Sequence, residues 1–253
     1  MRILILGHSD SSGINLPRRE AAWPWLVASR LEEELHDPVE IDHRELSPIR
    51  PGTPDFVASL VEETGPDILC LAVNPFWFAG STVRVKVQRQ FGPDFARRYL
   101  RLEAAFDRHT RSGAVRSRIN RAARKVTRRV VGTAAPAPLE TVQASYQGML
   151  SRLSQFEDLP VLVLSGNRLP EWTAKNPPLR AAINGFLAAI EESARRHRFE
   201  WFDTESTFGD LPRNSQLFAD RIHRNELGHQ RHADSVFPVL LQLAQTHTSA
   251  VTR

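Results

Sequence analysis

Short apolar runs and longer amphipathic segments alternate along the chain. The apolar runs predict strands at 2–6, 38–42, 67–73, 159–166 and 199–204. Between them, apolar residues recur every three or four positions, which predicts helices over 18–35, 54–64, 138–157, about 177–197 and 226–245. Strands that alternate with helices form parallel sheets with both faces covered. The pattern therefore predicts an α/β fold of three layers, an α/β/α sandwich.

One basic segment interrupts this alternation after the third predicted strand. Residues 84–130 contain 15 of the 33 Lys and Arg residues and three acidic residues, so their net charge is +12 and that of the remaining chain is −8. Apolar positions at helical spacing in this region are Phe95, Tyr99, Leu102 and Phe106, followed by Val115, Ile119, Ala122, Val126 and Val130. We therefore expect a basic helical insertion over 81–135, a cap or lid within a single domain spanning 1–253.

The composition is that of an ordinary globular protein. The chain has 253 residues, 41% of them hydrophobic and 25% charged, which is enough for a sizeable core. Cys70 is the single cysteine, so no internal disulfide is possible. The first apolar run is too short for a secretory signal, and no stretch approaches the roughly 20 apolar residues of a membrane span. A cytoplasmic location is the resulting expectation.

Candidate chemistry lies where the predicted strands end. Ser9 follows the first strand, Asn74 follows the third, and Asp220 and His223 stand shortly before the last helix. Active sites of parallel α/β proteins form at these carboxyl ends. A serine, a histidine, an aspartate and an amide donor are the groups that acyl transfer needs. The glycine-rich stretch 7–13 lacks the Lys of a P-loop and the spacing of Gly-x-Gly-x-x-Gly, which disfavours nucleotide binding.

Four blocks resemble, in order, the motifs of the SGNH (GDSL-type) hydrolase family. They are Gly7-His8-Ser9-Asp10-Ser11-Ser12-Gly13 for Gly-Asp-Ser-x-x-x-Gly, Gly52 for the oxyanion glycine, "AVNP" at 72–75 for Gly-x-Asn-Asp, and Asp220-Arg221-Ile222-His223 for Asp-x-x-His, followed by the Asn-Glu-x-Gly-His run at 225–229. The blocks span nearly the whole chain apart from the basic insertion. Three positions depart from the pattern, because His8, Ala72 and Pro75 replace an Asp, a Gly and an Asp. The pocket and its electrostatics should therefore differ from those of typical members.

The resemblance implies a flavodoxin-like parallel sheet and a carboxylic ester hydrolase, with a short acyl group such as acetyl as the preferred substrate. It implies that Ser9 attacks the carbonyl, that His223 is general base and then general acid, and that Asp220 orients the imidazole. The implied oxyanion donors are the backbone N–H groups of Ser9 and Gly52 and the side chain of Asn74. Such enzymes need no metal or other cofactor. Four neighbours of these blocks are candidate pocket residues: His8, Asp10, Trp77 and Phe78.

Several alternatives stay open. One is a non-hydrolytic binding protein that uses the basic insertion against an anionic membrane or an acidic partner. Another is an acyltransferase with the same triad. The basic segment resembles no specific nucleic-acid motif, and a cap without a partner is its simplest interpretation. The spacing of His229 and His232 puts them on one helix face, where they could bind a metal with Asp220 or His223, but we expect that face to be solvated. The substrate is a small-molecule or lipid-like ester, and the oligomeric state is not determined by the sequence.

Overall fold

The structure is a computed structural model of the chain. It describes residues 1–80, 85–87, 90, 92, 94, 98, 134–168, 173–218 and 222–251. These residues fall into two compact units. Unit 1 consists of Met1–Pro75 and Glu140–Arg253, and unit 2 consists of Phe76–Leu139.

Within the described residues, unit 1 is built on five parallel strands. They are β1 (Arg2–Gly7), β2 (Glu40–Glu45), β3 (Ile68–Ala72), β4 (Val161–Leu164) and β5 (Glu200–Phe202). Their order across the sheet is β2-β1-β3-β4-β5, and each neighbouring pair is parallel. This is the flavodoxin-like order, so the predicted sheet is confirmed. Because β1 lies between β2 and β3, the strand order reverses at its carboxyl end.

Two helices cover one face of the sheet. They are α1 (Trp23–Leu35) and the long C-terminal helix α6 (Glu226–Val251). Ile3, Ile5 and Cys70 of the sheet form one buried cluster with the apolar stripes of both helices. Burial raises the pKa of the Cys70 thiol to about 12, so this side chain behaves as a small apolar group.

Three helices cover the opposite face. They are α2 (Thr53–Thr64), α4 (Leu139–Leu153) and α5 (Pro177–Arg196). Side chains that alternate with those of the first cluster, such as Leu4 and Leu69, are fully buried and point to this face. The helices also contact one another, since the Tyr146 and Phe186 rings lie edge to face at 5.9 Å. The three-layer prediction is therefore confirmed.

Some element boundaries differ from the prediction. The helix expected from residue 18 begins at Trp23, because Ala22 is extended and Pro24 occupies the first turn; only a 3₁₀ turn precedes it, at Arg19–Ala21. The second strand runs over Glu40–Glu45 rather than 38–42. It is a polar edge strand, so its side chains give no continuous apolar run. The last helix continues to Val251 despite Pro238.

Unit 2 includes the short helix α3 (Phe76–Ala79), and its described residues 85–87, 90, 92, 94 and 98 are also helical. Ala137 N–H donates a hydrogen bond of 3.0 Å to the carbonyl oxygen of Trp77 within this unit. All nine apolar positions that predict the basic helices of the insertion at 81–135 lie outside the described residues. Among the residues that are described, no helix combines the length and apolar character needed to cross a bilayer.

A core truncation tests the packing of α1 on the sheet. Leu31 is fully buried in the cluster between α1, α6 and the sheet. Leu31→Ala is expected to lower the free energy of unfolding by about 2–5 kcal/mol, because it removes buried methyl groups and leaves a cavity. Urea denaturation measures this change. Leu227→Ala, at a side chain that is 42% exposed, is the matched control and should change stability by less than about 0.5 kcal/mol.

Candidate active site

The turn after β1 places Ser9 at the carboxyl edge of the sheet, where the strand order reverses. Residues 9–15 form successive turns, in which the carbonyl oxygen of His8 accepts hydrogen bonds from Ser11 N–H at 3.0 Å and Ser12 N–H at 3.1 Å. Ser12 Oγ also donates to the carbonyl oxygen of Ser9 at 3.0 Å. These short-range bonds fix the backbone around the Ser9 side chain.

A close contact at the end of β1 explains why this turn begins with glycine. Ser11 is buried and folds back over the strand, where its Oγ accepts a hydrogen bond of 3.0 Å from His8 N–H. The same oxygen lies 2.9 Å from His43 Nε2 on the neighbouring strand β2. A methyl group on Gly7 would overlap Ser11 Oγ. A side chain at position 7 would therefore displace the turn that carries Ser9.

A second turn brings His223 to the same place. His223 Nε2 lies 2.8 Å from Ser9 Oγ, although the two residues are 214 positions apart. Phe218 N–H donates to the carbonyl oxygen of His223 at 2.9 Å. The distance of 2.8 Å between Ser9 Oγ and His223 Nε2 suits proton transfer between a hydroxyl and an imidazole.

The start of α6 holds the second turn. Asn225 caps the helix, because its Oδ1 accepts a hydrogen bond of 3.0 Å from Gly228 N–H. A methyl group on Gly228 would overlap the carbonyl oxygen of Gln216, so only glycine permits this approach. The Asn and Gly of the run at 225–229 thus fix the backbone that follows His223.

The sequence did not indicate how Asp10 is used. Arg224 N–H donates to Asp10 Oδ1 at 3.0 Å, and the Arg224 guanidinium donates to Oδ2. Burial on its own would raise the pKa of Asp10, but Arg224 and His229 outweigh it and hold that pKa below its usual range. Asp10 was predicted to line a pocket, and the structure places it in an ion pair between the two turns.

The other predicted residues lie in different settings. Asn74 is half-buried just beyond β3, and its N–H donates to Tyr146 Oη at 3.0 Å. Gly52 is exposed at the N-terminus of α2, with a left-handed backbone. Trp77 and Phe78 belong to α3 in unit 2. Asp220 lies outside the described residues.

Four histidines around the two turns are held neutral. Burial lowers the pKa of His8, His43 and His229 to about 4, and it lowers that of His232 well below the ordinary value. His229 Nδ1 accepts a hydrogen bond of 3.3 Å from Trp23 N–H, and the His232 ring meets the Trp23 ring edge to face at 4.9 Å.

The expectation of a solvated face for His229 and His232 is wrong. Their side chains are 1% and 2% exposed, because this face of α6 packs against α1. Across the described part of the chain, no group of three or more His, Cys, Asp or Glu side chains has the geometry of a metal site.

A separate polar network closes the edge at β4 and β5. Ser165 Oγ donates to Asp203 Oδ1 at 2.9 Å, and Arg168 binds Asp203 Oδ2 at 2.7 Å. Glu205 accepts from Arg168 N–H at 3.2 Å and pairs with the Arg213 guanidinium. These bonds tie together the loops that follow β4 and β5. No sequence pattern predicts them, because three of the four join residues 35–38 positions apart.

Several solved structures, two of them esterases by name, share this fold over nearly their whole length. The structure of TesA superposes with a TM-score of 0.58 at 16% identity, covering 96% of this chain and 99% of that chain. The acetyl xylan esterase AlAXEase gives 0.54 at 15% identity, over 94% and 99%. A family 3 carbohydrate esterase of Clostridium thermocellum gives 0.54 at 12% identity, over 96% and 98%. The likeness confirms the fold that the SGNH resemblance implies. No protein-family model and no curated protein matches the chain.

The neutral histidines make stability depend on pH. In the unfolded chain they take up protons near pH 6.5, whereas in the folded protein they do so only near pH 4 or below. Between these values the unfolded state binds more protons, so the free energy of unfolding falls as the pH falls from 6.5 to 4. For the buried His229 alone the loss reaches about 3 kcal/mol, at about 1.4 kcal/mol per pKa unit.

Urea denaturation between pH 4.5 and 7.5 measures this dependence. His229→Asn removes one titrating group, so the slope of the free energy of unfolding against pH is expected to be shallower by up to the contribution of one proton. Ser235→Ala, which removes a hydroxyl that does not titrate from the same helix, is the matched control and should leave the slope unchanged. A stability that is flat across this range would contradict the assignment of neutral buried histidines.

Proposed function

We propose that this chain is a serine hydrolase of the SGNH type that cleaves a carboxylic ester. The observation that carries the proposal is the distance of 2.8 Å between Ser9 Oγ and His223 Nε2 at the carboxyl edge of the sheet. The strand order reverses at this edge, which is where α/β proteins bind their ligands. Solved proteins with this fold include an acetyl xylan esterase and a carbohydrate esterase, which supports an ester substrate.

The proposed reaction has two acyl-transfer steps. Ser9 Oγ attacks the ester carbonyl while His223 Nε2 takes the hydroxyl proton, and the C–O bond to the alcohol breaks as His223 returns that proton to the leaving oxygen. Water, deprotonated by His223, then attacks the acyl-enzyme; the bond between Ser9 Oγ and the acyl carbon breaks as His223 returns this proton to Ser9 Oγ, and the carboxylic acid leaves. Asp220 is proposed to accept from His223 Nδ1–H and so to hold the tautomer in which Nε2 is unprotonated and can accept the Ser9 proton.

Stabilisation of the oxyanion is assigned to three donors. They are the Ser9 N–H, the Gly52 N–H and the Asn74 side chain. The hydrogen bond from Asn74 N–H to Tyr146 supports this role, because it anchors the Asn74 backbone at the end of β3. One such donor typically contributes about 10²–10³ in rate. No step of this scheme uses a metal or another cofactor.

The substrate is proposed to be a small-molecule or lipid-like ester with a short acyl group such as acetyl. The two turns that carry the pair also contain the polar residues His8, Asp10, Ser11 and Arg224, and these polar surroundings support a short acyl group over a long one. We keep a cytoplasmic location as the proposal, because the single Cys70 is buried and forms no disulfide.

Labelling with a fluorophosphonate probe tests the nucleophile. The wild type is expected to label and to hydrolyse p-nitrophenyl acetate. Ser9→Ala and His223→Ala should abolish labelling and lower kcat by about 10⁴-fold or more, since the two groups act as a unit. Ser235→Ala and His247→Ala on α6 are the matched controls and should behave as wild type.

The outcomes separate the candidate functions. A folded wild type that neither labels nor hydrolyses overturns the proposal and favours a non-hydrolytic binding protein. Labelling with transfer of the acetyl group to an added alcohol in preference to water indicates an acyltransferase instead.

The basic segment is proposed to attract anionic substrates or an anionic surface. Its charge of +12 over residues 84–130 supports this, because long-range attraction raises the encounter rate of opposite charges. The kcat/KM for the anionic ester mono-p-nitrophenyl succinate is expected to fall as NaCl rises from 20 to 300 mM, and that for neutral p-nitrophenyl acetate should stay constant. Equal salt dependence for both esters would contradict this role.

A further inference from the structure

The ion pair between Asp10 and Arg224 joins the two residues that immediately follow the proposed nucleophile and base. Asp10 comes directly after Ser9, and Arg224 directly after His223. The side chains of Arg224 and Asp10 are only 5% and 14% exposed. Both carboxylate oxygens of Asp10 accept from Arg224, one from its N–H at 3.0 Å and one from its guanidinium. We propose that Asp10 and Arg224 are positioning residues that set the geometry and the charge balance of the Ser9–His223 pair, an inference that rests on the function proposed above.

The geometric argument follows from the shared anchoring. The backbone N–H and the guanidinium of Arg224 both donate to the Asp10 carboxylate. The turns that carry Ser9 and His223 therefore cannot separate without breaking this contact. Arg224 is itself fixed: it pairs with Leu217 in a β-bridge, and its guanidinium carbon lies 5.2 Å from the centre of the Phe208 ring. A fixed Arg224 therefore positions the nucleophile turn through Asp10. An error of about 1 Å between reacting groups can cost about 10²-fold in rate.

The electrostatic argument concerns the charge that His223 acquires when it takes the Ser9 proton. The positive Arg224 next to it opposes that charge, and the negative Asp10 favours it. His8 and His229 also interact electrostatically with His223, and burial lowers the pKa of each to about 4, so both are neutral at pH 7. Asp220, outside the described residues, is the remaining charged group proposed there. Asp10 thus balances Arg224 at the point where positive charge develops.

A pair that served only to stabilise the fold would behave differently. Its loss would lower stability but would not move the pH–rate profile in a direction set by the sign of the missing charge. The pH profile therefore separates a positioning role from a structural one.

The experiment measures kcat, KM and the acid limb of kcat/KM for p-nitrophenyl acetate between pH 5 and 9. Asp10→Asn is expected to move the acid limb to lower pH, and Arg224→Gln to higher pH, because each leaves one unbalanced charge beside the base. Each should lower kcat about 10²-fold with little change in KM. The double variant should restore the position of the limb and keep the low kcat.

The double variant and Arg224→Lys keep the test valid if Asp10→Asn or Arg224→Gln fails to fold. The double variant leaves no unpaired charge, and Arg224→Lys keeps the charge without the forked guanidinium, so it should retain the wild-type limb with reduced kcat. Arg30→Gln is the matched control, since it breaks an Arg–Asp pair of 2.7 Å between α1 and α6. It should change neither kcat nor the limb.

Two results would overturn this inference alone. One is a shift of the acid limb in the same direction for Asp10→Asn and Arg224→Gln, and the other is wild-type kcat and a wild-type pH profile in these variants. A wild type that fails to label with fluorophosphonate would overturn the proposed function, and the inference with it. The two failures are therefore distinguishable.

Discussion

The backbone pairing of β1 between β2 and β3 is the constraint on which the rest of unit 1 depends. The chain leaves β1 toward β2 on one side and returns to β3 on the other, so the connections on the two sides of β1 diverge at its carboxyl end, the place where α/β folds bind ligands. The strand is fully buried from Ile3 to Leu6, and this fixes the height at which Gly7 ends it. The positions of Ser9 and of the folded-back Ser11 both depend on where β1 ends.

The sequence predicted the elements that are governed by local pattern. Continuous apolar runs identified β3 and β4, because strands buried on both faces carry no polar positions. Local pattern failed where a tertiary contact decides the outcome. The start of α1 depends on the extended Ala22, and the burial of His229 and His232 depends on the packing of α6 against α1.

The candidate site shows the same division. The motif order placed Ser9 and His223 at one edge of the sheet, and the structure brings their side chains within hydrogen-bond distance. The partner of Asp10 could not be predicted, because Arg224 is 214 residues away and no spacing rule relates them. His8 stands where the Gly-Asp-Ser-x-x-x-Gly pattern has an Asp. The sequence does not show its contact, in which the neutral imidazole accepts from Asp10 N–H at 3.4 Å.

The hydrogen bonds of the Tyr146 hydroxyl bear on how much the segment between Pro75 and Glu140 can differ in length. It accepts from Asn74 N–H at 3.0 Å and lies 3.4 Å from the carbonyl oxygen of Ala72, so the departure from unit 1 after Pro75 is anchored to the helix that resumes unit 1 at Glu140. Both ends of the excursion are thereby fastened to each other inside unit 1. The entropic cost of closing a loop grows only slowly with its length once its ends are fixed. The intervening segment can therefore differ in length or charge at little cost to the framework of unit 1.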